Sequence, residues 1–174
     1  MEVIMDKKSA EKIINLEIYT DGSCKSANGL TFGGWSFIAV KDNKEIYSAS
    51  GNEPYTTNQR MELLAIKKGL EYAADNREKN EKVLIYSDSA YAINCYLQEW
   101  YTTWLANGWR NAKKQEVANQ DLWIDIVPYF DNFWYDFYKV SGHAGNYWNE
   151  VCDARAQEEA KKLKINWRGP NGKN

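Results

Sequence analysis

TTNQRMELLAIKKGLEYAADNREKNEKVLIYSD, residues 56–88, decides the fold because its hydrophobic period changes midway. Leu63, Ile66, Leu70 and Ala73 recur at offsets of three and four, which is one face of a helix, and Thr56 with Gln59 fits a capping box at its start. From Val83 the run VLIYSD is nearly continuous in apolar residues, as expected of a strand covered on both faces. Upstream, LEIYTD (16–21) alternates: Leu16, Ile18 and Thr20 share one face, Glu17, Tyr19 and Asp21 the other, and the run ends at Gly22. Strand, helix, strand in that order predicts a parallel crossover.

Between the first strand and the helix, GWSFIAVK (34–41) and KEIYSASG (44–51) flank the polar Asp42-Asn43 and read as an antiparallel hairpin. The chain therefore begins with a three-strand meander. Downstream, a helical segment starts at about Ala90, and residues 98–120 are aromatic early and polar later, with Asn107-Gly108 as a helix stop. DLWIDIVPYF (121–130) resumes a helical spacing, FYKV (137–140) is a short last strand, and a terminal helix from about Tyr147 to Lys164 aligns Trp148, Cys152, Ala156, Ala160 and Leu163. This divides the chain into an N-terminal extension (1–14), one domain (15–165) and a C-terminal tail (166–174).

The 174 residues, 44% hydrophobic with eight tryptophans, suffice for one buried core. A net charge of −2 provides no global basic field, so a polyanionic partner must be held by local features or by bound cations. Three widely spaced cysteines and a single histidine support neither a disulfide framework nor a zinc site. No stretch reaches the roughly 18 apolar residues of a membrane span, and the chain reads as soluble and cytoplasmic, with nothing demanding more than a monomer.

Asp21 and Asp88 occupy similar contexts, YTDGS and YSDS, each at the C-terminal end of an expected strand. If those strands are neighbours, both carboxylates leave the sheet at the same edge, and Glu62 on the intervening helix completes a cluster. Taken singly, an acid at a strand end is a solvated turn or cap residue. Clustered without a lysine or arginine, such acids repel one another and call for a cation, for which oxygen ligands and Mg²⁺ are the natural pairing. Two ions roughly 3.5–4 Å apart can activate a water and stabilise the leaving oxygen of a phosphodiester. Ser23 and Ser89 adjoin the acids, but no base with its own orienting group argues for a serine nucleophile.

The ordered strings YTDGSC, TTNQRMEL, YSDSAY, an aromatic segment ending GWR, NQDLW and GHAGNYWNEVCD resemble the type 1 ribonuclease H family over residues 16 to about 160. The resemblance implies an α/β fold with a five-stranded mixed sheet, a three-strand antiparallel meander followed by parallel crossovers, flanked by helices. It further implies an endonuclease that hydrolyses the RNA strand of RNA–DNA hybrids and leaves 5′-phosphate and 3′-hydroxyl ends. Asp21, Glu62, Asp88 and Asp153 match the metal-binding carboxylates, with two Mg²⁺ ions during catalysis and Mn²⁺ able to substitute. His143, the only histidine, sits between Gly142 and Gly145 and matches an auxiliary group for proton transfer or product release.

For the hybrid, the resemblance implies contacts from Asn58 and Gln59 to the minor groove, where the 2′-hydroxyl marks RNA. Thr57 and Asn119 match positions that hold a DNA phosphate, and Tyr91 and Trp100 form surfaces against deoxyribose, while Trp104 reads as core. Asn28 is carried as a contact across KSANGLTFGGW, a longer loop than the family's glycine- and proline-rich turn. The region of the family's protruding basic helix carries Arg110, Lys113 and Lys114 but also Glu116. Two alternatives stand beside the nuclease: a hybrid- or double-stranded-RNA-binding module without turnover, and another nuclease or strand-transfer enzyme of the same superfold. Glu62 on the first helix argues against the last.

Overall fold

In the computed structural model, which describes residues 12–141 and 146–167, the chain opens with three antiparallel strands: β1 (Ile14–Ala27), β2 (Leu30–Lys41) and β3 (Lys44–Pro54). Asp42 and Asn43 lie at φ 50° and 58°, the left-handed pair that a two-residue hairpin turn requires and that short polar side chains tolerate. Asn28 and Gly29, at φ 52° and 76°, make a second such turn. This corrects two expectations. β1 does not end at Gly22, and the segment after Cys24 is no long loop, because Lys25↔Phe32, Ser26↔Thr31 and Ala27↔Leu30 continue the ladder to the turn.

Helix α1 (Asn58–Asn76) then crosses to β4 (Glu81–Ser87), which lies parallel to β1, and β5 (Tyr135–Lys139) adds parallel to β4. The five strands run in the order β3-β2-β1-β4-β5. Leu63, Ile66, Leu70 and Ala73 of α1 are all buried, as their spacing requires. The cap differs from the expected one: Thr57, not Thr56, is the N-cap, its hydroxyl accepting from the Arg60 amide, so the third helical position is an arginine and no capping box forms. Thr56 instead turns inward and is buried.

Helix α5 (Tyr147–Asn166) covers the other face of β1, β2 and β3, burying Cys152 against Tyr19, Ile38 and Val40, with Ala156 and Ala160 buried over Gly34. Trp148 and Leu163 are only half-buried. Gly34 makes the close approach possible, since a Cβ there would lie 1.9 Å from the Ala156 carbonyl oxygen. The helix does not extend across β4 and β5. Consequently Leu84 and Tyr86 are half-buried rather than covered, and a stack of Tyr19, Tyr86 and Tyr138, with ring centroids 4.8 and 5.6 Å apart, lines that face.

Helices α2 (Ala90–Leu97), α3 (Trp100–Ala106) and α4 (Gln120–Ile126), the last continued by a short 3₁₀ turn, pack around the fully buried Trp123. Trp104 is buried there, as expected. Residues 110–116 form a tight turn, closed by the bridge Arg110↔Glu116 and by the Asn111 side chain accepting from the Lys113 and Gln115 amides. Among the described residues 107–119 there is thus no protruding basic helix. At the end of the described residues, Trp167 packs edge-on against Tyr55, 5.7 Å between centroids, and against Phe32.

Candidate active site

The parallel register of β1 and β4 pairs Tyr19 with Tyr86, so Asp21, still paired with Ser36 within β1, and Asp88, just past the end of β4, lie two residues beyond the same pair and stand side by side. Glu62 reaches them from α1 because residue 22 is glycine. A Cβ at Gly22 would stand 2.3 Å from the Glu62 amide nitrogen and 2.4 Å from the Met61 carbonyl carbon, both backbone atoms that cannot swing aside. Asp21, Glu62 and Asp88 each place a carboxylate oxygen within 4.8 Å of the others.

Asp153 joins from α5, close enough that its charge raises the pKa of both Asp21 and Asp88. The neighbouring Cys152 thiol fixes that helix, donating to the carbonyls of Ser36 at 3.2 Å and Tyr19 at 3.5 Å. Gln157, one turn on, donates to Asp153 Oδ2 at 2.9 Å and sets the rotation of the carboxylate. Of the helical stripe beside Asp153, Cys152 anchors the helix, whereas Trp148 is half-exposed and donates from Nε1 to Asn43.

Burial is the largest influence on Asp21, Glu62 and Asp88. It pushes the Asp21 carboxyl up to about 8, assisted by the Asp88 charge and opposed by the Gly22 amide, which donates to Oδ1 at 2.8 Å. Glu62 rises to about 7 through burial and then Asp88, while hydrogen bonds from Ser89 and Asn58 hold it back. Asp88 also rises, through burial and Asp153, and the Lys139 charge pulls it down. Among the described residues no lysine or arginine forms an ion pair with any of the four, and Asp88 Oδ1 is buried without a hydrogen-bond partner. An orphaned carboxylate oxygen amid three further carboxylates is the donor set that a hard divalent cation satisfies.

The remaining sequence-selected residues differ in how near they stand to the cluster. Asn58 joins the cluster directly, its amide donating to Glu62 Oε1 at 3.1 Å. Thr57, Gln59 and Asn119 lie nearby at the start of α1 and α4, held together by Arg60, whose guanidinium grips Asp121 at 2.7 and 3.0 Å and reaches Asn119 Oδ1 at 3.4 Å. Tyr91 and Trp100 form an adjoining half-buried aromatic surface, 5.6 Å between centroids, with Tyr91 also seated on Trp123. Asn28 stands apart at the hairpin tip, seven residues along β1 from Asp21 and therefore roughly 23 Å away along an extended strand. His143 lies outside the described residues.

Sequence reasoning did not single out Gly22, Lys139 or Gln157. For Gln157 a signal existed, the i,i+4 offset from Asp153. For Gly22 the signal is chemical, since an acid followed by glycine at a strand end frees space for a second backbone.

A family model described as RNase H matches residues 14–161. A protein named ribonuclease H from Syntrophomonas wolfei is 42% identical over 148 residues, covering 84% of this chain and 96% of its own. Another of that name from Treponema denticola is 42% identical over 161 residues, covering 86% and 99%. The foamy viral protease-reverse transcriptase, solved in complex with an RNA/DNA hybrid, superposes with a TM-score of 0.76 at 20% identity over 93% of this chain and 22% of the viral one.

Proposed function

This chain belongs to the ribonuclease H family, and from that premise we propose that it hydrolyses the RNA strand of RNA–DNA hybrids, leaving 5′-phosphate and 3′-hydroxyl ends. It is an enzyme of metal-dependent phosphodiester hydrolysis acting on nucleic acid. The observation that carries the reading is the convergence of Asp21 from β1, Glu62 from α1, Asp88 from just past β4 and Asp153 from α5, with no lysine or arginine ion-paired to any of them among the described residues. A pure binding module would gain nothing from that arrangement, because the repulsion lowers stability without recognising an anion.

In this reading the four carboxylates hold two Mg²⁺ ions, which Mn²⁺ can replace. Metal held there would supply the positive charge that lowers the pKa of an attacking water and stabilises the leaving oxygen. The chain's own residues do the rest. Asn58 is bonded to Glu62 at the start of α1, so a strand held at the cluster meets its amide, and Gln59 extends the same edge toward the 2′-hydroxyl. Thr57 and Asn119, tied together through α1, Arg60 and α4, receive a phosphate of the DNA strand, and Tyr91 with Trp100 lies against its sugars. His143 assists proton movement, and Asn28 reaches the duplex from the hairpin tip. No helix among the described residues is long and apolar enough to cross a membrane, and we assign the protein to the cytoplasm as a monomer. The decisive experiment measures Mg²⁺-dependent cleavage of an RNA-labelled hybrid by the wild type and by Asp21→Asn. Equal rates in the two would overturn the assignment.

A further inference from the structure

The carboxylate cluster is acidic, the chain carries a net charge of −2, and the turn at 110–116 offers little compensation. There Arg110 is committed to the Lys114 carbonyl and Glu116 lies opposite it. A polyanion drawn to this face needs cations elsewhere. Beside the cluster, between the extended end of β1 and the outer side of α5, a cleft of about 540 Å³ is lined by Lys25, Ala154, Gln157, Glu158, Lys161 and Lys164. Among the described residues none of its three lysines forms an ion pair, whereas Lys162, next to them in sequence, is paired with Glu159. Glu159 in turn accepts from Ser50 and Asn52, so its charge is directed to β3.

The cleft is continuous with the candidate active site through two elements. On α5, Asp153, Gln157, Lys161 and Lys164 follow at offsets of four, four and three, a single stripe of the helix. Gln157 belongs to both places, bonding Asp153 and lining the cleft. On β1, Lys25 is four residues beyond Asp21 and shares its side of the strand. The helix rise puts Lys161 about 12 Å from Asp153, and the strand rise puts Lys25 about 13 Å from Asp21. Two elements of different geometry thus deliver lysines to one cleft at the same distance. Pairing with the helix dipole accounts for Lys164 in the last turn, but not for Lys25 on a strand.

We infer that this cleft is a second backbone-phosphate site, in which Lys25, Lys161 and Lys164 hold phosphates of the nucleic-acid strand about four nucleotides from the bond being cut, at ~3.4 Å of helix axis per residue of one strand. The site recognises phosphodiester charge and not base sequence, and Glu158 on its wall limits the charge it presents. It replaces on α5 and β1 the cationic contact that the tight turn at 110–116 provides only weakly. The inference rests on the nuclease reading, since it extends the path of the same substrate.

The test compares wild type, the triple variant Lys25→Gln, Lys161→Gln, Lys164→Gln, and the control Lys162→Gln, all as full chains. Hybrid binding in Ca²⁺ is followed by fluorescence anisotropy as salt rises fourfold, and cleavage in Mg²⁺ is measured separately. The triple variant is expected to show a salt slope shallower by about 0.9 for each phosphate it no longer neutralises, so that the wild type loses roughly 3- to 40-fold more affinity than the variant over that range for one to three phosphates. KM should rise and kcat should stay level. A triple variant with the slope and KM of the control overturns the inference while cleavage by the wild type keeps the nuclease reading intact. Wild type that binds but does not cleave removes the nuclease reading, and the salt slopes still decide the cleft.

Discussion

Replacing Asp21 with asparagine should stabilise the metal-free protein at alkaline pH and flatten its response to pH, while abolishing turnover. The Asp21 carboxyl, buried with Asp88 and Asp153 beside it, is raised from 3.8 to about 8. In the unfolded chain the same group titrates near ~3.9. The folded state therefore holds the proton more tightly, and its contribution to stability is complete below pH ~4. It then declines as the unfolded chain ionises first, and it is exhausted once pH passes the folded value of about 8. Four units at ~1.4 kcal/mol each set a ceiling of roughly 6 kcal/mol. Asp21 itself is buried, but Glu62 and Asp88 beside it are only part-buried, and an effective dielectric several-fold above that of a dry interior leaves about 2–3 kcal/mol.

About three quarters of that falls between pH ~5 and ~8.5, which is roughly 2 kcal/mol, or about 4–8 °C in Tm for a chain of this size. Glu62, raised to about 7, acts in the same direction. Asp121, whose carboxyl is lowered by Arg60, loses its contribution only as pH falls through the acid range, and Lys41, raised by Glu81, titrates above the window. Thermal unfolding in chelator across this range should show the wild type losing those degrees and the Asp21→Asn variant losing less than half as many, ending above the wild type at pH ~8.5. Added divalent ion should restore the wild type and leave the variant nearly unchanged. A wild-type Tm that is flat or rises with pH would refute the reasoning, as would a variant with an undiminished slope.

Three further outcomes follow from other parts of the fold. Lys41→Met leaves Glu81, which is 0% exposed and paired with Lys41 Nζ at 2.6 Å, as an uncompensated buried charge, and should cost about 3 kcal/mol in urea unfolding at neutral pH. The double variant with Glu81→Leu should recover most of that loss, and no recovery would show that the cost lies elsewhere. Gly34→Ala forces α5 away from β2 and should lower stability by about 1–3 kcal/mol, with a drop in kcat larger than the unfolded fraction explains; unchanged turnover would mean that Asp153 tolerates displacement. His143→Ala should lower turnover and leave divalent-ion affinity, read by titration calorimetry, largely intact, whereas Asp153→Ala should disturb both; equal kcat in wild type and His143→Ala makes the residue an ordinary loop side chain.

The legible parts of the molecule are those where residue parity or helical spacing has only one structural solution. Asp21 and Asp88 follow from strand direction, and Glu62 from the helix that joins the strands, so three acids could be placed from pattern alone. Asp153 required the string GHAGNYWNEVCD, because nothing in the spacing of α5 reveals which strand it crosses. The errors have physical causes. Gly33 looked like a loop residue ahead of the strand expected from Gly34, but both are glycines because Thr56, Met61 and α5 approach the strand too closely for a Cβ. That resemblance to a loop hid the Asn28-Gly29 turn, itself a strong hairpin signal. At the start of α1 two adjacent threonines offer the same hydroxyl, and only the inward turn of Thr56 against β2 decides that Thr57 caps the helix.

The carboxylates come from four elements, and each is held by a contact that does not touch the chemistry. Gly22 sets the distance from β1 to α1, the β1–β4 register sets Asp21 beside Asp88, and the Cys152 thiol sets α5 against β1 and β2. The core of the protein thus stabilises a constellation that is unstable by itself, since burial and mutual repulsion raise the pKa of Asp21, Glu62 and Asp88 together. Relaxation is blocked because the opposing groups are backbone and buried side chains, not flexible surface residues. Removal of the strain therefore falls to whatever positive charge enters from solution. The same rigidity that makes the metal-free site costly favours a divalent cation that satisfies several oxygens at once.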